Sequence, residues 1–154
     1  MRSRTARWFE TKVRYDKTDD DGKQKTVCET YAVDALSFSE AESSITGEMQ
    51  NYISGEFEVV GERIAPYGEI FFSDDVSDDK YYKAHLQFIN LDEKSSKEKK
   101  QNVYYLVQAK SLEVARKHID EVMSGTMIDY VIVGVNETRI LDVFEHDKNI
   151  NENK

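Results

Sequence analysis

The sequence predicts an α+β fold: a tandem duplicated β-β-α-β-β repeat with pseudo-twofold symmetry, antiparallel sheets and two helices. Three observations predict it. The chain aligns with itself at a shift of 73 to 74 residues, period-two alternation marks strands in both halves, and each half contains one apolar stripe at helical spacing. The length of 154 residues suffices for one compact domain or two small fused ones.

The self-alignment is strongest around the two predicted helices. At a shift of 74, seven of the nineteen positions from Tyr31 to Met49 are identical to those from Tyr105 to Met123. About one identity is expected by chance from average residue usage. We therefore assign the first repeat to residues 8–72, an acidic, solvated linker to 73–80 and the second repeat to 81–145, with the repeats packed as one compact unit and flexible ends at 1–7 and 146–154.

Each half is predicted to begin with two strands. In the first strand of the chain, Phe9, Val13 and Tyr15 alternate with polar or outward positions, which is the pattern of a strand with one buried face. An Asp-Gly pair in the turn at 19–22 suits a hairpin, and the second strand follows from about 25 to 34.

A helix follows the leading strands of each half. Ser37 precedes the first helix, where its hydroxyl can accept from the backbone N–H of Glu40 while the Glu40 carboxylate reaches back. The apolar stripes are Ala41, Ile45 and Met49 in the first half and Leu112, Ala115, Ile119 and Met123 in the second.

After each helix the sequence predicts a second hairpin. Its strands are residues 57–60 and 69–72 in the first half, and residues 130–133 and 140–144 in the second.

Composition excludes several classes of protein. Hydrophobic residues make up 39% of the chain and charged residues 33%, which is ordinary globular usage and not that of collagen or low-complexity chains. The single cysteine, Cys28, cannot form an internal disulfide, and no stretch approaches the ~20 apolar residues that span a bilayer. We expect a cytoplasmic protein without a membrane partner.

Enzyme motifs are absent from the sequence. It contains no glycine-rich phosphate loop, no Gly-x-Ser-x-Gly elbow and no His-Glu-x-x-His. The histidines, His85, His118 and His146, lack a second ligand at metal-binding spacing, and the aspartates of 73–80 lack the ligand pattern of a calcium loop. We expect no cofactor, no metal and no enzyme, although a catalytic site built from distant residues stays an open alternative.

Charge is distributed unevenly along a chain whose net charge is −9. Residues 80–118 contain nine Lys and Arg against four Asp and Glu, a balance of +5, and residues 1–17 contain six against two, a balance of +4. No Lys or Arg occurs from Thr26 to Glu62. The basic segments therefore coincide with the leading hairpin of each half.

Alternation on these hairpins places aromatic residues and cations on one outward face. Rings stack on bases and Lys or Arg contact phosphates, so this combination suits single-stranded DNA or RNA. The predicted binding residues are Trp8, Lys12 and Arg14 in the first half and Tyr81, Lys83, His85, Lys97, Lys99 and Lys100 in the second, with the last three on a flexible loop.

A protein-interaction or assembly module is the alternative. Trp8 and Tyr81 can instead pack inside the protein, and Lys or Arg on an exposed strand is common protection against aggregation. The net charge of −9 also opposes contact with a polyanion over the whole surface. The chain would then bind other proteins or itself.

Four segments carry a family resemblance: residues 8–15, 33–42, 52–57 and 125–130. With them the chain resembles a family of uncharacterised proteins of about 150 residues from Bacteroidales bacteria and their phages, over roughly residues 7–145. The resemblance implies a bacterial or phage-infected cytoplasm. It implies no catalytic or binding residue, because the family's motifs have no assigned chemistry.

Overall fold

The computed structural model describes residues 1–146 and shows an α+β structure, with nine strands and two helices in these residues. In chain order they are β1 (Arg2–Thr5), β2 (Trp8–Thr18), β3 (Gln24–Asp34), α1 (Phe38–Met49), β4 (Phe57–Ile64), β5 (Glu69–Phe72), β6 (Lys80–Leu91), β7 (Glu98–Ala109), α2 (Leu112–Ser124), β8 (Asp129–Glu137) and β9 (Ile140–Phe144). Neither helix is long and apolar enough to cross a membrane.

The strands form two sheets in two compact units. Unit 1, residues 1–5 and 66–138, contains α2 and a five-stranded sheet in the order β1-β5-β7-β6-β8. Unit 2, residues 6–65 and the described residues from 139 onward, contains α1 and a four-stranded sheet in the order β4-β2-β3-β9. These units differ from the predicted segments 8–72 and 81–145, because β5 and β9 each lie in the sheet of the other predicted half.

The two hairpins predicted after the helices are wrong. β4 pairs with β2, whereas β5 lies in the other sheet and runs parallel to β7. Likewise β8 pairs with β6, and β9 runs parallel to β3. Both sheets are therefore mixed and not purely antiparallel as expected. Periodicity identifies a strand from its own residues, but it carries no information about which strand lies beside it.

The sheets share an order when strands are matched by the shift of 73 to 74 residues. The order β4-β2-β3-β9 then corresponds to β8-β6-β7-β5, and β1 extends only the five-stranded sheet. The register of β2 against β4 shifts between Lys12 and Val13, and that of β6 against β8 shifts between His85 and Leu86. Both shifts fall at corresponding positions, where the register skips Val60 of β4 and Val133 of β8.

Each helix begins at a serine cap. Ser37 Oγ accepts from the Glu40 backbone N–H at 3.1 Å, which confirms the predicted cap. The Glu40 carboxylate accepts from the Leu36 N–H at 3.3 Å, one residue before the predicted position. In α2, Ser111 Oγ accepts from the Val114 N–H at 3.2 Å. These bonds satisfy backbone donors that the first helical turn leaves unpaired.

One face of each sheet packs against its helix. The predicted stripe Ala41, Ile45 and Met49 is buried against Phe9 and Val13 in unit 2. In unit 1 a corresponding core lies under α2 and contains Ala84, Leu86, Val107, Ile119 and Met123. The predicted stripe is confirmed there except at Leu112, which is exposed. The other face of each sheet carries the predicted binding residues of the strands except Lys99, and Lys97 lies in a loop.

The chain ends that were predicted to be flexible form contacts where the structure describes them. Residues Arg2–Thr5 form a strand that pairs with β5, and the Arg2 guanidinium lies 4.2 Å from the centroid of the Phe72 ring. At the other end the His146 N–H donates to Asp34 Oδ1 at 2.7 Å. The rest of the predicted tail, 147–154, lies outside the described residues.

Candidate nucleic-acid interface

The two aromatic residues expected to stack on bases are buried. Trp8 is 1% exposed and Tyr81 4% exposed, so the prediction that their rings face water is wrong. The chain closes beside both residues: the Ala65 N–H donates to the Trp8 carbonyl, and the Thr138 N–H donates to the Tyr81 carbonyl, each at 2.9 Å. The alternation of residues along a strand predicts which face of the sheet each ring lies on. It does not predict that this end of the face is buried.

The predicted cations of unit 2 lie on the helix-free face of the four-stranded sheet. Lys12 and Arg14 are exposed, as expected. However, Arg14 Nη2 lies 2.8 Å from Glu58 Oε2, and Arg63 forms an ion pair with Glu10 on the same sheet. Acidic partners therefore neutralise Arg14 and Arg63, which weakens the attraction of this face for phosphate.

The second hairpin has a different helix-free face, which contains a ring pair. His85 on β6 lies directly opposite Tyr104 on β7, and the rings stack with centroids 4.5 Å apart and planes inclined by 16°. Gln87 lies opposite Asn102 one step further along. We call these four residues the β6–β7 patch; Asn102 is exposed and the other three are half-buried.

Hydrogen bonds join the members of the β6–β7 patch. Asn102 Oδ1 accepts from Gln87 Nε2 at 3.1 Å and lies 2.9 Å from His85 Nε2. Because this oxygen only accepts, His85 Nε2 carries a hydrogen and donates it. The remaining ring nitrogen, Nδ1, is then the position at which the imidazole takes up a second proton.

Lysines lie at both ends of the β6–β7 patch on the same face. Lys83 is two residues before His85 on β6, and Lys100 lies opposite Ile89 on β7. Side chains at directly opposite positions of an antiparallel pair share a face. Lys83 and Ile89 are six residues apart on β6, so the two cations mark a strip of about 20 Å at the strand rise of ~3.3 Å per residue.

The loop cations are arranged differently from the prediction. β7 begins at Glu98, so Lys99 and Lys100 belong to a strand and only Lys97 lies in the loop. The Asp92 N–H donates to the Lys97 carbonyl at 2.9 Å, which closes the loop. Lys99 Nζ lies 3.7 Å from Asp92 Oδ2, on the side of β7 away from the patch. Of the three, Lys100 is the one on the patch face.

Gln87, Asn102 and Tyr104 are members of the patch that the sequence did not predict. Alternation along β7 marks Tyr104 as a possible surface residue, but its importance comes from the register that brings it opposite His85. That register follows from the six-residue loop that joins Leu91 to Glu98. The length of this loop was therefore the feature of the sequence from which the register, and with it the patch, could have been predicted.

A second polar cluster in unit 1 surrounds the predicted linker. Asp78 is buried; its carboxylate accepts from the Lys110 N–H at 2.9 Å and from the Ser73 hydroxyl, and lies 3.8 Å from His118 Nε2. These residues border a cavity of about 360 Å³. Hydrogen bonds from Ser77, helped by Lys110, lower the pKa of the Asp75 carboxyl beside it. The linker, which was predicted to be wholly solvated, is therefore anchored in unit 1 through Asp78.

Within residues 1–146 no group of three His, Cys, Asp or Glu side chains is arranged to hold a metal ion.

Net charge differs between the two units. Unit 1 has eleven Lys and Arg against thirteen Asp and Glu, a balance of −2, whereas the described part of unit 2 has eight against fifteen, a balance of −7. Because salt screens charges that are more than ~10 Å apart, a bound polyanion interacts mainly with the charges of the unit it contacts. Unit 1, which contains the β6–β7 patch, therefore repels a polyanion less than unit 2 does.

Comparison with known proteins gives one match. Residues 7–146 match the model of a family described as a domain of unknown function, DUF4494. No curated protein and no solved structure matches the chain.

Proposed function

The chain belongs to the DUF4494 family, a domain of unknown function, and from its own geometry we propose that it binds single-stranded nucleic acid at the β6–β7 patch. The observation that carries the proposal is the stacked, partly exposed His85–Tyr104 pair between two lysines. It replaces the contact first assigned to the buried rings of Trp8 and Tyr81. The proposal places the protein in the cytoplasm of a bacterium or a phage-infected cell and assigns it no catalytic step.

Stacking supplies the first part of the proposed interaction. In the ring pair each ring uses one face for its partner, and both side chains remain partly exposed. A base laid on such a pair contributes about 1–3 kcal/mol and needs no particular sequence, because every base has a π face. The amides of Gln87 and Asn102 lie beside the rings and can hydrogen-bond to base edges.

Phosphate contacts supply the second part. Lys83 and Lys100 lie at opposite ends of the patch, so a strand that crosses the rings brings its backbone to both. Each phosphate contact to a single strand changes the slope of log K against log salt by about 0.7. Two contacts therefore predict a slope near −1.4.

The test is fluorescence anisotropy of a labelled oligothymidylate of about 12 nucleotides, titrated at several salt concentrations from about 50 mM upward. The label has to be on the oligonucleotide, because the only tryptophan is buried and does not report stacking. We expect binding that weakens with salt. The double variant Lys83→Ala/Lys100→Ala should reduce the slope by about 1.4, and Tyr104→Ala should weaken binding by about 1–3 kcal/mol.

Two further lysine variants complete the test, the first as a matched control and the second as a test of the other sheet. Lys117 is exposed on α2, which covers the other face of the sheet, so Lys117→Ala should leave the slope unchanged. Lys12→Ala tests whether the helix-free face of unit 2 contributes as first predicted. Absence of binding by the intact protein at low salt, or equal slopes for the double variant and Lys117→Ala, would contradict the proposal. Circular dichroism checks that each variant is folded.

A protein-interaction module is the second candidate, favoured by exposed apolar side chains at one sheet edge. Met127 and Ile128 precede β8, and Val131 and Val133 lie within it; all four are at least 40% exposed. β8 is an edge strand, and an apolar edge is a site at which another chain can pair. An oligomer in light scattering together with no response to oligonucleotides would favour this candidate.

We also propose that the two β-β-α-β-β segments are copies of one ancestral unit, each of which gives its last strand to the other's sheet. Support comes from the matching strand orders, the register shifts that follow Lys12 and His85, and the caps at Ser37 and Ser111. The pseudo-twofold relation expected between the copies stays a prediction.

A further inference from the structure

His85 is the histidine of the β6–β7 patch and lies on the same sheet face as Lys83 and Lys100. Its Nε2–H donates to Asn102 Oδ1, so Nδ1 takes up the second proton while the existing hydrogen bond is kept. Histidine is the side chain whose ordinary charge change falls between pH 5 and 8. Protonation at Nδ1 therefore adds a positive charge to the patch and is compatible with the hydrogen bond to Asn102.

The charged groups around His85 favour contact between a protonated His85 and a polyanion. On β6 the nearest charged group of the same face is Lys83, and on β7 the neighbours are the neutral phenol of Tyr104 and, further along, Lys100. On β8 the residue opposite His85 is Gly134, and the acid of that face, Asp129, lies opposite Ile89. Protonated His85 thus completes a row of three cations on one strip.

We propose that His85 is a proton-dependent phosphate contact, so that single-stranded nucleic acid binds more tightly as the pH falls from about 8 to 5.5. This inference rests on the proposed function and adds the regulation of the same site. One more phosphate contact steepens the salt slope by about 0.7. Over a twentyfold change in salt, from about 1 M to 50 mM, that slope corresponds to an affinity gain of about 8-fold.

The experiment measures the anisotropy titration of oligothymidylate at about pH 8 and pH 5.5, each at several salt concentrations. Thymine has no group that titrates in this range, so any proton taken up belongs to the protein. For the intact protein we expect a slope steeper by about 0.7 at the lower pH. In His85→Gln the slope should be the same at both pH values and equal to that of the intact protein at pH 8.

The matched control is His118→Asn, which removes a histidine on α2 and keeps a donor near the Gln108 carbonyl that His118 Nδ1 contacts at 3.1 Å. This variant should retain the full pH dependence.

The outcomes separate the two proposals. No binding at either pH overturns the proposed function. Binding by the intact protein with one slope at both pH values leaves the proposed function standing and overturns the role of His85. A pH dependence that persists in His85→Gln also overturns it, because the proton then binds elsewhere.

Discussion

Replacement of Asp78 tests the anchoring of the connector between β5 and β6. Asp78 is 3% exposed, and its carboxylate accepts hydrogen bonds from the Lys110 N–H and the Ser73 hydroxyl. Asp78→Ala removes both acceptors at once, and it leaves the imidazole of His118 without the carboxylate 3.8 Å away. The variant should therefore lose stability, although it lies in a segment whose sequence suggests a solvated spacer.

The size of the loss follows from the two hydrogen bonds. A hydrogen bond to a charged group contributes about 1.5–3 kcal/mol, so the pair gives an upper figure of about 3–6 kcal/mol. Water that enters the adjacent cavity of about 360 Å³ can satisfy part of the unpaired groups. We expect a loss of about 3 kcal/mol in the free energy of unfolding, or a fall of roughly 6–12 °C in Tm for a chain of this size.

Urea and thermal unfolding followed by far-ultraviolet circular dichroism measure this loss. Asp79→Ala is the matched control, because Asp79 is the exposed neighbour, and it should change stability by less than about 0.5 kcal/mol. Asp78→Asn should lose about half as much as Asp78→Ala, since an amide oxygen still accepts from the Lys110 N–H. If Asp78→Ala and Asp79→Ala were equally stable, the anchoring would be refuted.

Three further predictions concern the caps and the titrating side chains. Ser37→Ala and Ser111→Ala should each cost about 1 kcal/mol in urea unfolding, and a large difference between them would contradict equivalent caps. Burial and the nearby Glu42 raise the pKa of Glu62. The intact protein should therefore lose stability relative to Glu62→Gln as the pH rises above 4.5, measured as Tm against pH, and parallel curves would contradict it. Burial and a hydrogen bond with Glu29 raise the pKa of Tyr15 to about 12, so Tyr15→Phe should remove part of the late step in the ultraviolet titration of phenolate; an unchanged step would contradict the assignment.

Local features of the fold could be predicted from the sequence. The cap at Ser37 and the stripe of Ala41, Ile45 and Met49 depend on residues within one turn of each other, and the structure contains both. The inward positions Phe9 and Val13 also hold, because alternation along a strand is set by the backbone itself.

The neighbours of the short strands could not be predicted. β5 and β9 contain four and five residues, too few for a pattern that specifies a partner, and each pairs in parallel with a strand distant in sequence. The burial of Asp78 has the same origin, since its partners Lys110 and Ser73 come together only once β5 lies beside β7. Long-range strand pairing therefore limited how much of the fold and of the connector could be predicted from the sequence.

The location of the candidate site depends on register more than on alternation. In the first hairpin the outward Lys12 and Arg14 lie opposite Thr30 and Cys28, which have no ring. In the second hairpin the position that corresponds to Lys12 is His85, and its opposite residue is an aromatic one. We therefore expect the removal of a cation to change the affinity differently in the two hairpins. Lys12 lies on a face whose neighbouring arginine, Arg14, is already paired with Glu58. The lysines of the second hairpin lie beside the stacked rings of His85 and Tyr104. Equal losses of affinity from both hairpins would mean that a ligand follows charge alone, and the ring pair would then have no part in recognition.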